Sequence, residues 1–224
     1  MSYIEDRAFA YSMRETLDKD FSLSNDANYA SLAGYFAFWN IADVLMLCGN
    51  NMSLLTLRNI LNGQEQKLDG ERVWAVKNAI EVMYQLGGSD YWNDDLVASM
   101  RGELDHFGGF EHVVEDSLVL NIANRESDSD ILDNAVDIFL TLWSSGVTYK
   151  QERAMALLCA NAYLVKNKFV PIVITSEHME DMNRILDDYS GNATSFKEFF
   201  VHQEFTSMYN FLAYQINRNN AEKE

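Results

Sequence analysis

The sequence predicts a mainly α-helical fold, and three observations carry that expectation. Residues of an inward face recur at spacings of three and four along most of the chain, as in Ala154, Leu157, Leu158, Asn161 and Leu164. There is one proline, Pro171, so long helices can run without interruption. Residues that tolerate left-handed backbone punctuate these stretches, at Cys48-Gly49-Asn50-Asn51, Asn62-Gly63 and Gly87-Gly88.

The elements follow in order. Glu5 to Asp20 predicts an amphipathic helix with Phe9, Met13 and Leu17 on one stripe, and 22–28 reads as a polar loop. Tyr29 to Leu47 is apolar nearly all round, which predicts a central helix, with Tyr35, Phe36, Phe38 and Trp39 as core. Ser53 caps a short helix from Leu54 to Leu61. Asp69 opens a longer one that turns Val73, Val76, Ile80, Met83 and Tyr84 inward, and Asp90 to Leu104 is the next. His106 to Asn121 is the least helical stretch; Gly108-Gly109 and the alternation after it predict a small hairpin or flap. Ser129 or Asp130 starts a helix ending at Gly146. Thr148 and Gln151 have capping-box spacing at the head of a buried helix that reaches Leu164. Phe169 to Ile174 is extended, because Pro171 disfavours helical backbone at the residue before it. Glu177 to Tyr189 is helical, and Ser195 with Glu198 starts a last helix to about Ile216. We expect one domain over 1–224: N-terminal helices in 1–47, a core in 48–216 and a frayed tail in 217–224.

Composition narrows the class. Hydrophobic residues make up 48%, enough for a sizeable core. A formal net charge of −17 opposes direct contact with nucleic acid or an anionic membrane, which require basic surfaces. It suits solubility, or a protein that presents acid to a basic partner. Cys48 and Cys159 lie in apolar helical surroundings and read as reduced thiols of a cytoplasmic protein. The first residues lack a basic start followed by an apolar core, so no signal peptide is expected. Gly34 to Leu47 is the most apolar segment, short for a bilayer and interrupted by Asp43.

Three segments, in order and separation, resemble the Fic (filamentation induced by cAMP) family, also called Fido domains. Cys48 to Gly63, CGNNMSLLTLRNILNG, is similar to the family's EGN-x-[LM]-[TS]-L-x-x-[TV]-x-x-L-L-x-G. Asp133 to Trp143 occupies the place of the helix leading into the active loop. RAMALLCANAYLVKNKFVPIVIT, from Arg153, resembles the family's helix, turn and proline-bearing strand, and SFKEFF ends the matched region at Phe200. The resemblance implies a Fic-like helical domain with a small β-flap, an N-terminal helical extension and a homodimer.

The family's chemistry resides in HPFx[DE]GN[GK]R. Aligned to end at Arg153, the nine positions here run from Ser145 to Arg153, and only the last agrees. The histidine of active members deprotonates a hydroxyl that attacks the α-phosphate of ATP; Ser145 cannot act as that base near neutral pH. The motif's acidic position, which holds a metal, is Tyr149, a poor ligand for a hard cation. Lys150-Gln151-Glu152 has no glycine to let backbone amides wrap phosphate. Lys150 and Arg153 remain as an anion or nucleotide contact, weighed against their being solvated or paired with Glu152. The family's inhibitory helix, [ST]-x-x-x-E-[GN]-N, aligns on Gly49-Asn50 with Val44 and Cys48 at its hydroxyl and glutamate positions. Loss of the catalytic and inhibitory groups together is coherent.

Other chemistry is thinly represented. His106 and His112 flank a glycine loop near Glu111 and Glu115, and read as incidental surface histidines rather than a metal site; His178 and His202 sit in no zinc spacing. Asp94-Asp95 and 127–130 read as helix-start acids favoured by the dipole. The expectation is therefore a catalytically degenerate Fic-fold protein that is not an active AMP-transferase and works by binding a protein partner. No cofactor is expected. A divergent nucleotidyl- or phosphotransferase with a rebuilt site, needing ATP and magnesium, is the first alternative. An acidic decoy of a basic nucleic-acid-binding or toxin partner is the second.

Overall fold

The computed structural model describes residues 2–21, 26–64, 68–107, 116–124, 130–145, 150–189 and 192–221. These form ten α-helices: α1 Tyr3–Phe21, α2 Asp26–Leu47, α3 Leu54–Leu61, α4 Leu68–Gly87, α5 Asp94–Leu104, α6 Asp116–Ala123, α7 Ile131–Ser145, α8 Lys150–Lys166, α9 Ser176–Asp187 and α10 Thr194–Ala221. A 3₁₀ turn, Asp105–Phe107, follows α5, and no strand occurs among the described residues. The fold is mainly α, as the sequence predicts. The chain divides into two compact units, 1–36 with 168–224, and 37–167, with the division falling inside α2.

The unit formed by 37–167 is built on α8, which packs against α7 and α4. From Ala154 to Val165 every residue of α8 is buried, so this helix has no solvent face. Each large apolar side chain enclosed this way contributes about 1.5–3 kcal/mol relative to exposure. α4 also carries α5, and α6 rests on α7 and α5. The inward residues expected on α4, Val73, Val76, Ile80, Met83 and Tyr84, are all buried. Ser53 caps α3 by accepting from the Thr56 N–H at 3.1 Å, and Asp130 accepts from the Leu132 and Asp133 N–H groups to start α7. Gly49 and Gly63 adopt positive φ, 81° and 75°, after α2 and α3.

In the unit formed by 1–36 and 168–224, α1 packs on α10, and α9 also meets α10. Between α8 and α9 the chain runs without helix or ladder, yet Phe169, Val170, Ile172 and Ile174 are buried. Its amides are served by α10 side chains: Val170 N–H donates to Glu204 Oε1 at 3.3 Å and Val173 N–H to Ser207 Oγ at 3.1 Å. Pro171 needs no such partner.

Several expectations change. The flap predicted from His106 to Asn121 is 3₁₀ at its start and helical from Asp116, while 108–115 lie outside the described residues. Val119 and Ala123, four apart, are the buried pair, and a short apolar run does not distinguish a period of 2 from one of 3.6. α5 begins at Asp94 rather than Asp90, because Asn93 Oδ1 accepts the Leu96 N–H at 3.0 Å. α10 begins at Thr194, so Ser195 lies in its first turn; Asn192 Oδ1 accepts from both the N–H and the hydroxyl of Thr194. The tail expected to fray stays helical to Ala221, with Gln215 and Arg218 both bonded to Ser31 Oγ. On α1 the buried stripe is Asp6, Ala10 and Leu17, while Phe9 is 51% exposed. Of the aromatic set on α2 only Phe36 is fully buried; Tyr35 and Phe38 are half-buried and Trp39 is exposed. α2 is also longer than the segment judged short for a bilayer. Its Tyr29–Leu47 stretch, mean hydropathy 1.4, is long and apolar enough to cross a membrane by length and composition.

Candidate functional site

The first turn of α8 is where the sequence places the remaining anion contact. Ser145 ends α7 and Lys150 opens α8; 146–149, including Thr148 and Tyr149, lie outside the described residues. The next three side chains are positioned clearly. Gln151 is buried, and its Nε2 donates to the Phe107 carbonyl at 2.8 Å. Glu152 is buried, and its carboxylate accepts from Arg101 Nη1 of α5, itself buried. Arg153 is half-buried, with its guanidinium 4.6 Å from the centre of the Trp143 ring on α7.

The electrostatics follow from those contacts. A helix N-terminus favours negative charge, and here the chain supplies it through Glu152, in the first turn. The carboxylate is matched by Arg101, while the Lys150 side chain lies outside the described residues. Removing two charges from water costs several kcal/mol per ion, and their attraction offsets it only with good geometry. The pair therefore fixes α5 against α8 while adding little net stability. The Arg153 guanidinium is held over Trp143 by an attraction of about 0.5–2 kcal/mol.

The positions aligned with the inhibitory motif behave as packing. Val44 is fully buried. Burial pushes the Cys48 thiol up to about 12, so it is neutral and unreactive near neutral pH. Asn50 donates its backbone N–H to the Leu45 carbonyl at 2.8 Å, closing the end of α2. Among the described residues no hydrogen bond, ion pair or ring contact joins Val44, Cys48 or Asn50 to Arg153. Neither cysteine is in a disulfide.

The histidines do not converge. His106 and His112 have side chains outside the described residues, His178 Nδ1 lies 3.2 Å from Thr175 Oγ1 at the start of α9, and His202 Nδ1 lies 2.9 Å from Asp6 Oδ2. No set of three His, Cys, Asp or Glu able to hold a metal occurs among the described residues. A cavity of about 480 Å³, lined by Tyr91, Leu120, Asn121 and Asn124, lies elsewhere in the 37–167 unit. Asn124 is committed on both sides of its amide, accepting from Trp92 N–H at 2.7 Å and donating to Trp92 O at 2.8 Å.

Two features escaped the sequence reading. Arg101 to Glu152 is a contact across 51 positions that no local spacing announces. Glu204 did leave a trace, since it interrupts the stripe Phe196, Phe200, Met208 and Phe211 at helical spacing. The chain matches no protein-family model, and no curated protein matches it.

Proposed function

We propose that the chain is a catalytically inactive helical scaffold of the Fic type that acts in the cytoplasm by binding another protein. The observation that carries this reading is the buried Glu152–Arg101 pair. At the helix start where a phosphate would be cradled, the chain has placed a carboxylate of its own and matched it internally. A phosphate arriving there meets like charge at short range, and displacing Glu152 would leave Arg101 buried without it. The aligned motif adds to this, with Ser145 in place of the base and Tyr149 in place of the metal-holding acid.

Incubation with ATP and magnesium is the direct test: no AMP should appear on the protein itself or on proteins of a lysate. AMP labelling would sink the reading. The divergent-transferase alternative predicts nucleotide binding that falls on Arg153→Ala. We expect calorimetry to detect none, because Arg153 is already engaged with Trp143.

The decoy alternative needs acid gathered on one face. Acidic residues outnumber basic ones in each of the two units, and Asp6, Asp43, Glu152 and Glu204 are spent inside the protein. That distribution favours a general acidic surface with a specific contact on it.

A further inference from the structure

We propose that the seam between α1 and α10 is a docking strip for a basic amphipathic segment of a partner protein; this rests on the protein-binding reading above. Asp6 meets His202 and Phe9 meets Phe205, with ring centres 6.2 Å apart. Both pairs have the same sequence offset, so the two helices run locally in the same direction. On α10, Glu198, His202, Phe205 and Tyr209 follow one another at steps of four, three and four, which places them on one face. On α1, Glu5 and Phe9 stand one turn apart.

The aromatic part of this strip faces water. Phe9 is 51% and Tyr209 60% exposed, and Phe205 links them, 6.3 Å from the Tyr209 ring and 6.3 Å from the His202 ring. Burial inside the chain does not explain such a cluster, and aromatic residues are those that anchor interfaces.

Charge selects the occupant. The parallel course of the helices brings Glu5 and Glu198 to the same end of the strip. The Glu5 carboxylate is held below its ordinary range by bonds from the backbone N–H and hydroxyl of Ser2, so it is charged at neutral pH. Arg7, the nearby cation on α1, is turned to the Tyr3 hydroxyl at 2.8 Å. The strip is thus acidic at one end and aromatic at the other. A second copy of a chain of net charge −17 would be repelled, whereas a helix carrying lysine or arginine beside apolar residues is attracted and can stack its cations on the rings.

The test uses a fluorescent amphipathic peptide of leucine and lysine, with a leucine–glutamate peptide as control. Fluorescence anisotropy should show the lysine peptide binding and the glutamate peptide failing to bind. The variant Phe9→Ser/Tyr209→Ser changes two side chains that are mostly in water, and circular dichroism should show it folded. It should weaken binding by about tenfold or more, as loss of interface anchors does. Glu198→Gln should weaken it less and reduce its sensitivity to salt. Equal binding by wild type and the serine variant would overturn the proposal, because attraction would then be to net charge alone. Sedimentation showing a wild-type dimer that the serine variant abolishes would overturn it in favour of a second copy. AMP transfer is measured on the same preparations: transfer with strip-dependent binding removes only the inactive reading, and no transfer with no strip-dependent binding removes only the strip.

Discussion

Glu204 lies among the side chains that bury α10, and enclosure raises its carboxyl well above the ordinary range, offset in part by the Val170 N–H. Its Oε2 has no partner among the described residues. The folded state therefore holds the proton more tightly than the unfolded state, whose glutamate titrates near 4.5. Its contribution is fully present below that pH and is lost as pH rises through the folded value. Glu204→Gln should raise the melting temperature at pH 7 and leave it nearly unchanged at pH 4, which a melting series across pH checks. Glu152 is buried as half of an ion pair. Glu152→Ala strands the Arg101 guanidinium without its carboxylate and should cost about 3–5 kcal/mol, while Arg101→Met with Glu152→Leu should recover most of it. Urea midpoints for the two single variants and the pair would show this as strong non-additivity.

At the scale of elements, caps and spacings were the legible part. Ser53 caps α3 as its residue type predicts, and Asp130, one of the two starts expected with Ser129, accepts the first amides of α7. Ser53→Ala should therefore cost α3 about 1 kcal/mol, read as a lower denaturant midpoint. Where the reading slipped, a competing local bond decided the outcome: Asn93 for α5 and Asn192 for α10. Of the stretch expected as a flap, 116–121 is helix, because a few apolar residues fit either period and Val119 and Ala123 bury at helical spacing; 108–115 lie outside the described residues. The polar end of α10 stays helical because Ser31, far away in sequence, accepts from Gln215 and Arg218. At the candidate site Arg153 stands out in the sequence through the family resemblance, at the head of α8. Its actual partners, Arg101 for Glu152 and Trp143 for Arg153, come from packing that no spacing reports.

For the whole molecule the acidic surplus sets the response to solvent. With a net charge of −17, like charges repel across the folded surface, and the unfolded chain relieves that repulsion by expanding. Added sodium chloride should thus raise the melting temperature in the sub-molar range as screening shortens below about 10 Å. Solubility should be least near pH 4.5, where the sequence is close to neutral.

The segment from Phe169 to Ile174 carries a consequence of its own. Strand amides are shielded by a neighbouring strand, and their exchange with deuterium reports the opening of a sheet. Here the amides of Val170 and Val173 are held by side chains of Glu204 and Ser207, one helical turn apart on α10. Their exchange is tied to the seating of that helix, although the sequence separates them from it by 34 positions. Ser207→Ala should speed exchange at Val173 first, and a rise in pH that ionises Glu204 should slow exchange at Val170 relative to Val173. Two amide signals then suffice to follow how firmly α10 holds this buried irregular segment.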